Sequence, residues 1–251
     1  MRLVDLNLWW GDIHEPLLAF IKEQAPTADI FCFQEMVAWS RENNSSTRDE
    51  VLYGEIQSLL PDFNSSFVAM QDFPDALRGP NRCLGLAIFV RKTAAVADFG
   101  SFFAYGARSE FDPNDVKKMP GTVQYARLSA GGREYTIANF HGLAVWPKTD
   151  TPERLEQSRT IANFLAGIRS PKILCGDFNL FPDTKSIALL EEGMTNLVKK
   201  YRVPLTRSRL FYLGEDKISD YILISPDISV QDFSVPDVAV SDHLPLILDF
   251  S

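Results

Sequence analysis

Short apolar runs enriched in β-branched and aromatic residues recur along the chain at 3–9, 29–34, 84–91, 122–128, 134–140, 172–176, 220–225 and 244–250. Each has the length and composition of one strand. Ser129-Ala130-Gly131-Gly132-Arg133 separates two of them and reads as a hairpin connection, which makes that pair antiparallel. Helical periodicity is rarer. Residues 14–25 carry Leu17, Leu18, Ile21 and Ala25 at helical spacing, with Pro26 as the stop. Over 152–168, Thr151 can cap, Pro152 suits the first helical position, and Leu155, Ile161, Ala162, Leu165 and Ile168 share one face. Two further helices are predicted over 47–60 and 184–192. Many strands, some antiparallel, with helices between them predict an α/β fold of two packed sheets with helices outside. The stretches 36–46 and 104–121 lack periodicity and read as long loops. No repeat, low-complexity tract or linker divides the sequence, so residues 1–251 are expected to form one domain.

Composition narrows the setting. Hydrophobic residues at 45% and charged residues at 23% are ordinary for a soluble globular protein. No apolar stretch approaches the roughly 18 residues of a membrane span, so no stable membrane insertion is expected. The Met1–Asn7 segment lacks the regions of a signal peptide, which makes a cytoplasmic location the expectation. Cys32 and Cys175 sit inside apolar runs and Cys83 borders another. An odd count without Cys-x-x-Cys indicates neither a disulfide framework nor a zinc site. A net charge of −8 argues against broad electrostatic capture of a polyanion. It leaves a nucleic-acid substrate open, because a metal-filled cleft supplies positive charge locally. No obligate protein partner is indicated.

Reactive residues fall at the ends of the apolar runs. Three runs end in one: Ile30-Phe31-Cys32-Phe33-Gln34-Glu35, Ile137-Ala138-Asn139-Phe140-His141 and Ile173-Leu174-Cys175-Gly176-Asp177-Phe178-Asn179. Two runs begin with one, at Asp220 and at Asp242-His243. If those two strands run antiparallel to the others, all these groups gather at one edge, and Asn7 joins them. Oxygen-rich ligands such as Glu35 and Asp242, without thiolates, suit Mg²⁺ or Mn²⁺. Asp177 and Asn179, two apart, point the same way on an extended chain, where one can accept a proton from water while the other fixes it or a phosphate. His243 suits action on phosphate or water, with Asp220 fixing its tautomer. His141 is a second imidazole able to donate to a phosphoryl oxygen.

Gln34-Glu35, Gly176-Asp177-Phe178-Asn179 and Ser241-Asp242-His243-x-Pro245 resemble the motifs of the endonuclease/exonuclease/phosphatase superfamily. Leu6-Asn7-Leu8-Trp9 and Asn139-Phe140-His141 resemble further positions, and the matches keep family order from residue 7 to 245. The resemblance implies a four-layered α/β sandwich of two packed mixed β-sheets flanked by helices. It also implies Glu35 as principal metal ligand with Asn7 and Asp242 near the metal, Asp177 and Asn179 orienting or activating water, and an Asp220–His243 pair at the scissile phosphate. Whether Asp177 or His243 is the base stays open. The acidic residue that some nucleases carry two positions after this asparagine is missing, since Leu8-Trp9 follows Asn7.

These readings predict a divalent-metal-dependent phosphoesterase, with a nucleic-acid phosphodiester as the leading substrate. Small-molecule or lipid-head-group phosphoesters are the alternative, and a non-catalytic binding module of the same fold the remote one. Arg41, Arg48, Arg82, Lys148, Arg154 and the segment Thr206-Arg207-Ser208-Arg209 are candidates for phosphate contacts. Trp146, just after His141, and Arg154 are singled out as candidate substrate contacts. His14 lies outside every motif, and Trp9, Trp10 and Trp39 read as core or cleft-lining residues.

Overall fold

The alternation of side chains along the strands builds two sheets that share one interior. The computed structural model describes residues 1–39, 51–74, 77, 81–112, 114–115, 118–214 and 217–251. One sheet holds β1 (Arg2–Asn7), β2 (Ile30–Trp39), β3 (Phe63–Asp72), β4 (Arg82–Arg91), β6 (Ser109–Glu110), β12 (Val230–Ser234) and β13 (Leu246–Phe250), in the order β12-β13-β1-β2-β4-β3-β6. The other holds β5 (Ala95–Tyr105), β7 (Gly121–Ala130), β8 (Arg133–His141), β9 (Lys172–Asp177), β10 (Thr195–Asn196) and β11 (Asp220–Ile224), in the order β10-β11-β9-β8-β7-β5. Both are mixed: β1 and β2 are parallel in the first, β8 and β9 in the second.

With a period of two, Leu3, Ile30 and Cys32 face the second sheet, while Val4, Leu6, Phe31 and Phe33 face outward. The outward face is covered by α1 (His14–Gln24) and α2 (Leu52–Leu59) through Leu17, Ile21, Leu52 and Ile56. Phe31 and Phe33 stack there at 5.4 Å, a contact of about 0.5–1.5 kcal/mol beyond the area it buries. The second sheet carries α3 (Pro152–Ala166), α4 (Lys185–Leu190) and the short α5 (Leu197–Lys200). Thr151 caps α3 by accepting the Arg154 amide at 3.3 Å, with Pro152 in the first turn, as the sequence predicts. The result is the expected four-layered sandwich of two packed mixed sheets flanked by helices.

Some boundaries differ from expectation for physical reasons. The stretches at β3, β5 and β12 are strands that the apolar pattern missed. β5 and β12 are edge strands with half-exposed faces, so they show no continuous apolar run. β5 reaches Tyr105 and β6 lies at 109–110, both inside the predicted loop 104–121. β2 continues to Trp39 beyond an irregularity near Glu35, so the supposed loop from 36 begins as strand, and residues 40–46 lie outside the described ones. Residues 47–50 of the predicted helix 47–60 do too, and α2 covers Leu52–Leu59. β1 stops at Asn7 because Trp9 and Trp10 adopt positive φ values of 46° and 59° in a 3₁₀ turn. Among the described residues no helix is long and apolar enough to cross a membrane.

Candidate active site

Strand direction and register bring the predicted residues to one edge of the sandwich. β11 runs antiparallel to β9 with Asp220 opposite Asp177, and β8 runs parallel to β9 with His141 opposite Asp177. β13 is antiparallel to β1, so the Asp242-His243 segment that precedes it lies at the end of β1 that carries Asn7. The two runs that begin with a reactive group therefore do run opposite to their neighbours. Inward alternation then joins the sheets: Asn7 Nδ2 donates to Asp177 Oδ2 at 3.1 Å, and Gln34 Nε2 donates to Asn139 Oδ1 at 2.7 Å.

Glu35 breaks the alternation. Gln34 faces inward, so the next residue of a regular strand would face the outer helices. A register shift between Phe33 and Met36 against β4 inserts an irregularity, and Glu35 takes φ of 54°. That left-handed backbone costs a non-glycine residue energy. It turns the carboxylate into the cleft, where Glu35 Oε1 accepts Asn7 Nδ2 at 3.2 Å and lies 3.4 Å from His141 Nε2. Gly176 serves the same edge: its φ is 133°, and a Cβ there would meet the Phe140 carbonyl oxygen at 2.0 Å. Only glycine lets β8 and β9 approach so closely.

Asp177 is the hub. Its Oδ1 accepts the Asn179 amide at 2.9 Å, while Oδ2 lies 3.6 Å from His243 Nε2, 3.9 Å from Arg207 Nη2 and 4.0 Å from His141 Nε2. Burial alone would raise this carboxyl, but the charges of His243, Arg207, Lys148 and His141 hold it well below the usual range. Glu35 behaves alike: burial works upward and is outweighed by His141, His243 and Asn7, so it is lowered. Asp242 goes the other way, raised by burial against the pull of His243 and Arg207.

His243 is fixed from behind. Its Nδ1 lies 2.8 Å from Asp220 Oδ1, and Asp220 Oδ2 accepts Thr206 Oγ1 at 2.7 Å and Ser219 Oγ at 3.1 Å. Nε2 is left facing Asp177 Oδ2 and Asp242 Oδ1, each at 3.6 Å. Burial and Arg207 oppose the imidazolium, yet Asp220, Asp242 and Asp177 together raise its pKa. Arg207 bridges to His243 as an isolated antiparallel pair, which brings its guanidinium into the site. There Nη1 donates to Asp242 Oδ2 at 2.8 Å, and Cζ stacks 4.5 Å over the Tyr212 ring.

The remaining candidates divide. Asn179, at φ of 52°, donates from Nδ2 to the Gly142 carbonyl at 3.3 Å and so ties the two strand ends together. Lys148 is buried, and its charge is felt at Asp177. Arg154 departs from expectation. It is 1% exposed, and its fork donates to the carbonyls of Pro147 at 2.6 Å, Thr149 at 2.7 Å, Leu143 at 3.0 Å and Val145. A guanidinium so engaged organises the 142–150 loop and is not presented to a phosphate. Trp146 is 66% exposed on that loop. Arg82 lies 3.7 Å over the Trp39 ring, and Arg41 and Arg48 fall outside the described residues.

Two sets of donors lie close enough to hold one ion: Glu35, His141 and Asp177, and Asp177, Asp220 and His243. The first fits a hard divalent cation better. It joins two carboxylates to an imidazole whose ring nitrogens are buried without a well-formed hydrogen bond, whereas in the second Asp220 is already bonded to His243 and Thr206. Asn7 offers Nδ2 to Glu35 and Asp177, while its Oδ1 accepts the Trp9 amide at 3.0 Å. Asp242 lies at the rim, bonded to Arg207. The roles of Arg207 and Thr206 were not separable in the sequence from those of their neighbours, because they sit in a segment without periodicity.

Known proteins share this arrangement of chain. An endonuclease/exonuclease/phosphatase from Bacteroides vulgatus superimposes with a TM-score of 0.75 at 17% identity, over 100% of this chain and 98% of that one. A Bacteroides thetaiotaomicron mannosyl-6-phosphatase gives 0.74 at 18%, over 100% and 99%. The human nocturnin catalytic domain, solved with a bound sulfate anion, gives 0.71 at 20%, over 100% and 94%. No curated protein matches the chain. The sequence profile of the Endonuclease/Exonuclease/phosphatase family matches residues 6–243, nearly the whole length, and the chain belongs to that family.

Proposed function

We propose that the protein is a phosphoesterase that hydrolyses a P–O bond with the help of a divalent cation, Mg²⁺ or Mn²⁺, held by Glu35 and Asp177 beside His141, with Asn7 and Asp242 adjoining. The observation that carries this reading is the convergence of Glu35, Asp177, Asp220 and Asp242 on one edge with His141, His243 and Arg207. So many carboxylates repel a phosphate unless a cation is shared between them and the substrate. Such a cation neutralises charge on the phosphoryl oxygens and on the leaving oxygen.

The chain's own groups do the rest. Arg207, anchored on Asp242, presents a fixed positive charge to the phosphate. His243 is held by Asp220 with Nε2 toward the cleft, where it can pass a proton or a hydrogen bond to the group at the scissile phosphate. Asp177 Oδ2, 3.6 Å from that nitrogen, aligns the attacking water, and Asn179 steadies the aspartate through its amide. His141 faces Glu35 and suits donation to a phosphoryl oxygen. A phosphodiester, in nucleic acid or in a smaller molecule, is the substrate this reading favours, and a net charge of −8 weighs toward the smaller.

The test is hydrolysis of bis-p-nitrophenyl phosphate and p-nitrophenyl phosphate with Mg²⁺, Mn²⁺ or EDTA. Turnover that requires the metal and is lost in Glu35→Ala is expected. Equal turnover in EDTA, or in Glu35→Ala, would overturn the metal assignment. Silence on both compounds and on nucleotide esters would favour a binding module.

A further inference from the structure

A cavity of about 440 Å³ opens beside the 142–150 loop, lined by Tyr105, Leu143, Val145, Trp146, Thr151 and Glu153 together with Arg154. That volume falls within the range of small-molecule pockets. Its position follows from chain geometry. Leu143 is two residues beyond His141, so their Cα atoms lie within about 7 Å. Tyr105 pairs with Gly121 and His141 with Thr122, which places Tyr105 at the same end of the sheet, two strand spacings or about 10 Å from β8. Lys148, on the same loop, adds its charge at Asp177.

Trp146 is the unusual lining residue. An indole 66% exposed is poorly placed to serve the core, yet this one is held firmly. Phe181 backs it edge-on at 6.1 Å, and Arg154 binds the carbonyls of Val145 and Pro147 on either side of it. Gln157 fixes the start of the loop by accepting the Leu143 amide at 3.2 Å. An exposed aromatic face on a locked loop is a preorganised stacking platform. Tyr105, Leu143 and Val145 give the other walls apolar faces beside Thr151 and Glu153, and Arg154 is engaged with backbone. That composition suits a flat heterocycle better than a sugar ring, whose hydroxyls need many polar partners.

We propose that the pocket lined by Trp146 is the subsite for the heterocyclic base of a nucleotide whose phosphate lies at the Asp177–His243 edge. The proposal rests on the phosphoesterase reading above and names its substrate class. The negative net charge fits a single nucleotide unit rather than a long strand.

Binding of adenosine 5′-monophosphate, ribose 5-phosphate and glucose 6-phosphate by calorimetry with Mg²⁺ tests it, in the His243→Ala background, which keeps the Glu35 and Asp177 donors while turnover is suppressed. The base should tighten binding roughly 5- to 150-fold over ribose 5-phosphate, the range of one stacked base. Adding Trp146→Ala should erase that difference, and Trp146→Phe should keep part of it. Equal affinity for the nucleotide and ribose 5-phosphate, an undiminished difference in Trp146→Ala, or tighter binding of glucose 6-phosphate would overturn the proposal. Hydrolysis of bis-p-nitrophenyl phosphate, p-nitrophenyl phosphate and nucleotide esters by the otherwise unaltered chain is read separately. Hydrolysis without a base effect sinks the subsite alone, and a base effect without hydrolysis sinks the phosphoesterase reading alone.

Discussion

A buried imidazole handles protons usefully only when one nitrogen is fixed and the other is presented. Asp220 does the fixing for His243 at 2.8 Å, and Thr206 and Ser219 hold Asp220 in turn. Replacing His243 by Ala, or Asp177 by Asn, is expected to lower turnover at least about 10²-fold, the scale of acid–base groups. Asp220→Asn should also lower kcat, with KM little changed, because it disturbs the tautomer and not the binding. Steady-state kinetics on a phosphodiester, beside circular dichroism to show an intact fold, provide the check. Near-normal turnover in His243→Ala and Asp177→Asn would sink the mechanism. At this scale the sequence was most readable: Asn7, Glu35, His141, Asp177, Asp220, Asp242 and His243 each flank an apolar run, and the structure gathers them. Arg207 was readable only as one of four residues in a candidate segment, since its own place depends on a single bridge to His243 made by a stretch without strand pattern.

Between elements, one side chain can set the path of a loop. The carbonyls of Leu143, Val145, Pro147 and Thr149 all turn onto Arg154, which α3 delivers from below. Leaving a buried acceptor without its donor costs about 1–3 kcal/mol. Water reclaims some of these carbonyls when the loop relaxes, so Arg154→Ala should lose at least about 2 kcal/mol in urea denaturation. Arg154→Lys should recover little, because an ammonium cannot reproduce the planar fork. An unchanged urea midpoint together with a raised KM would instead make Arg154 a phosphate contact, as the sequence alone suggested. The helix itself was legible in its cap, its proline and its apolar stripe. The function of Arg154 was not, because nothing local tells a fork facing carbonyls from one facing solvent. The irregularity in β2 was equally hidden: periodicity fails at Glu35 because the strand bends there, and a pattern reader sees only the end of a strand.

For the whole molecule, the count and composition of the apolar runs announced two sheets, but not the order of the strands. β1 lies beside β13, with Arg2 opposite Asp249, and no local signal encodes a pairing that spans the chain. Nor did any signal mark Asp5, buried at the inner face where the sheets meet. Its Oδ1 accepts Gln34 Nε2 at 2.8 Å, and Gln34 continues to Asn139, so a polar chain crosses the interior below the site. Burial pushes the Asp5 carboxyl well above its ordinary range, with Asp220 and Asp177 adding to the effect and Gln34 and Cys175 only partly opposing it. The linkage follows. Below about pH 3.9, the ordinary aspartate value, folded and unfolded chains both carry this proton. As pH rises the unfolded chain releases it while the folded chain retains it, so this residue draws stability down until the folded carboxyl itself ionises. Asp5→Asn keeps the shape and removes the titration. Its stability relative to the parent should therefore climb as pH rises above about 3.9, until the folded carboxyl ionises, whatever constant offset the amide introduces. Urea denaturation of both proteins across that interval measures the difference, and a flat or falling difference would mean that the interior between the sheets tolerates a charged carboxylate.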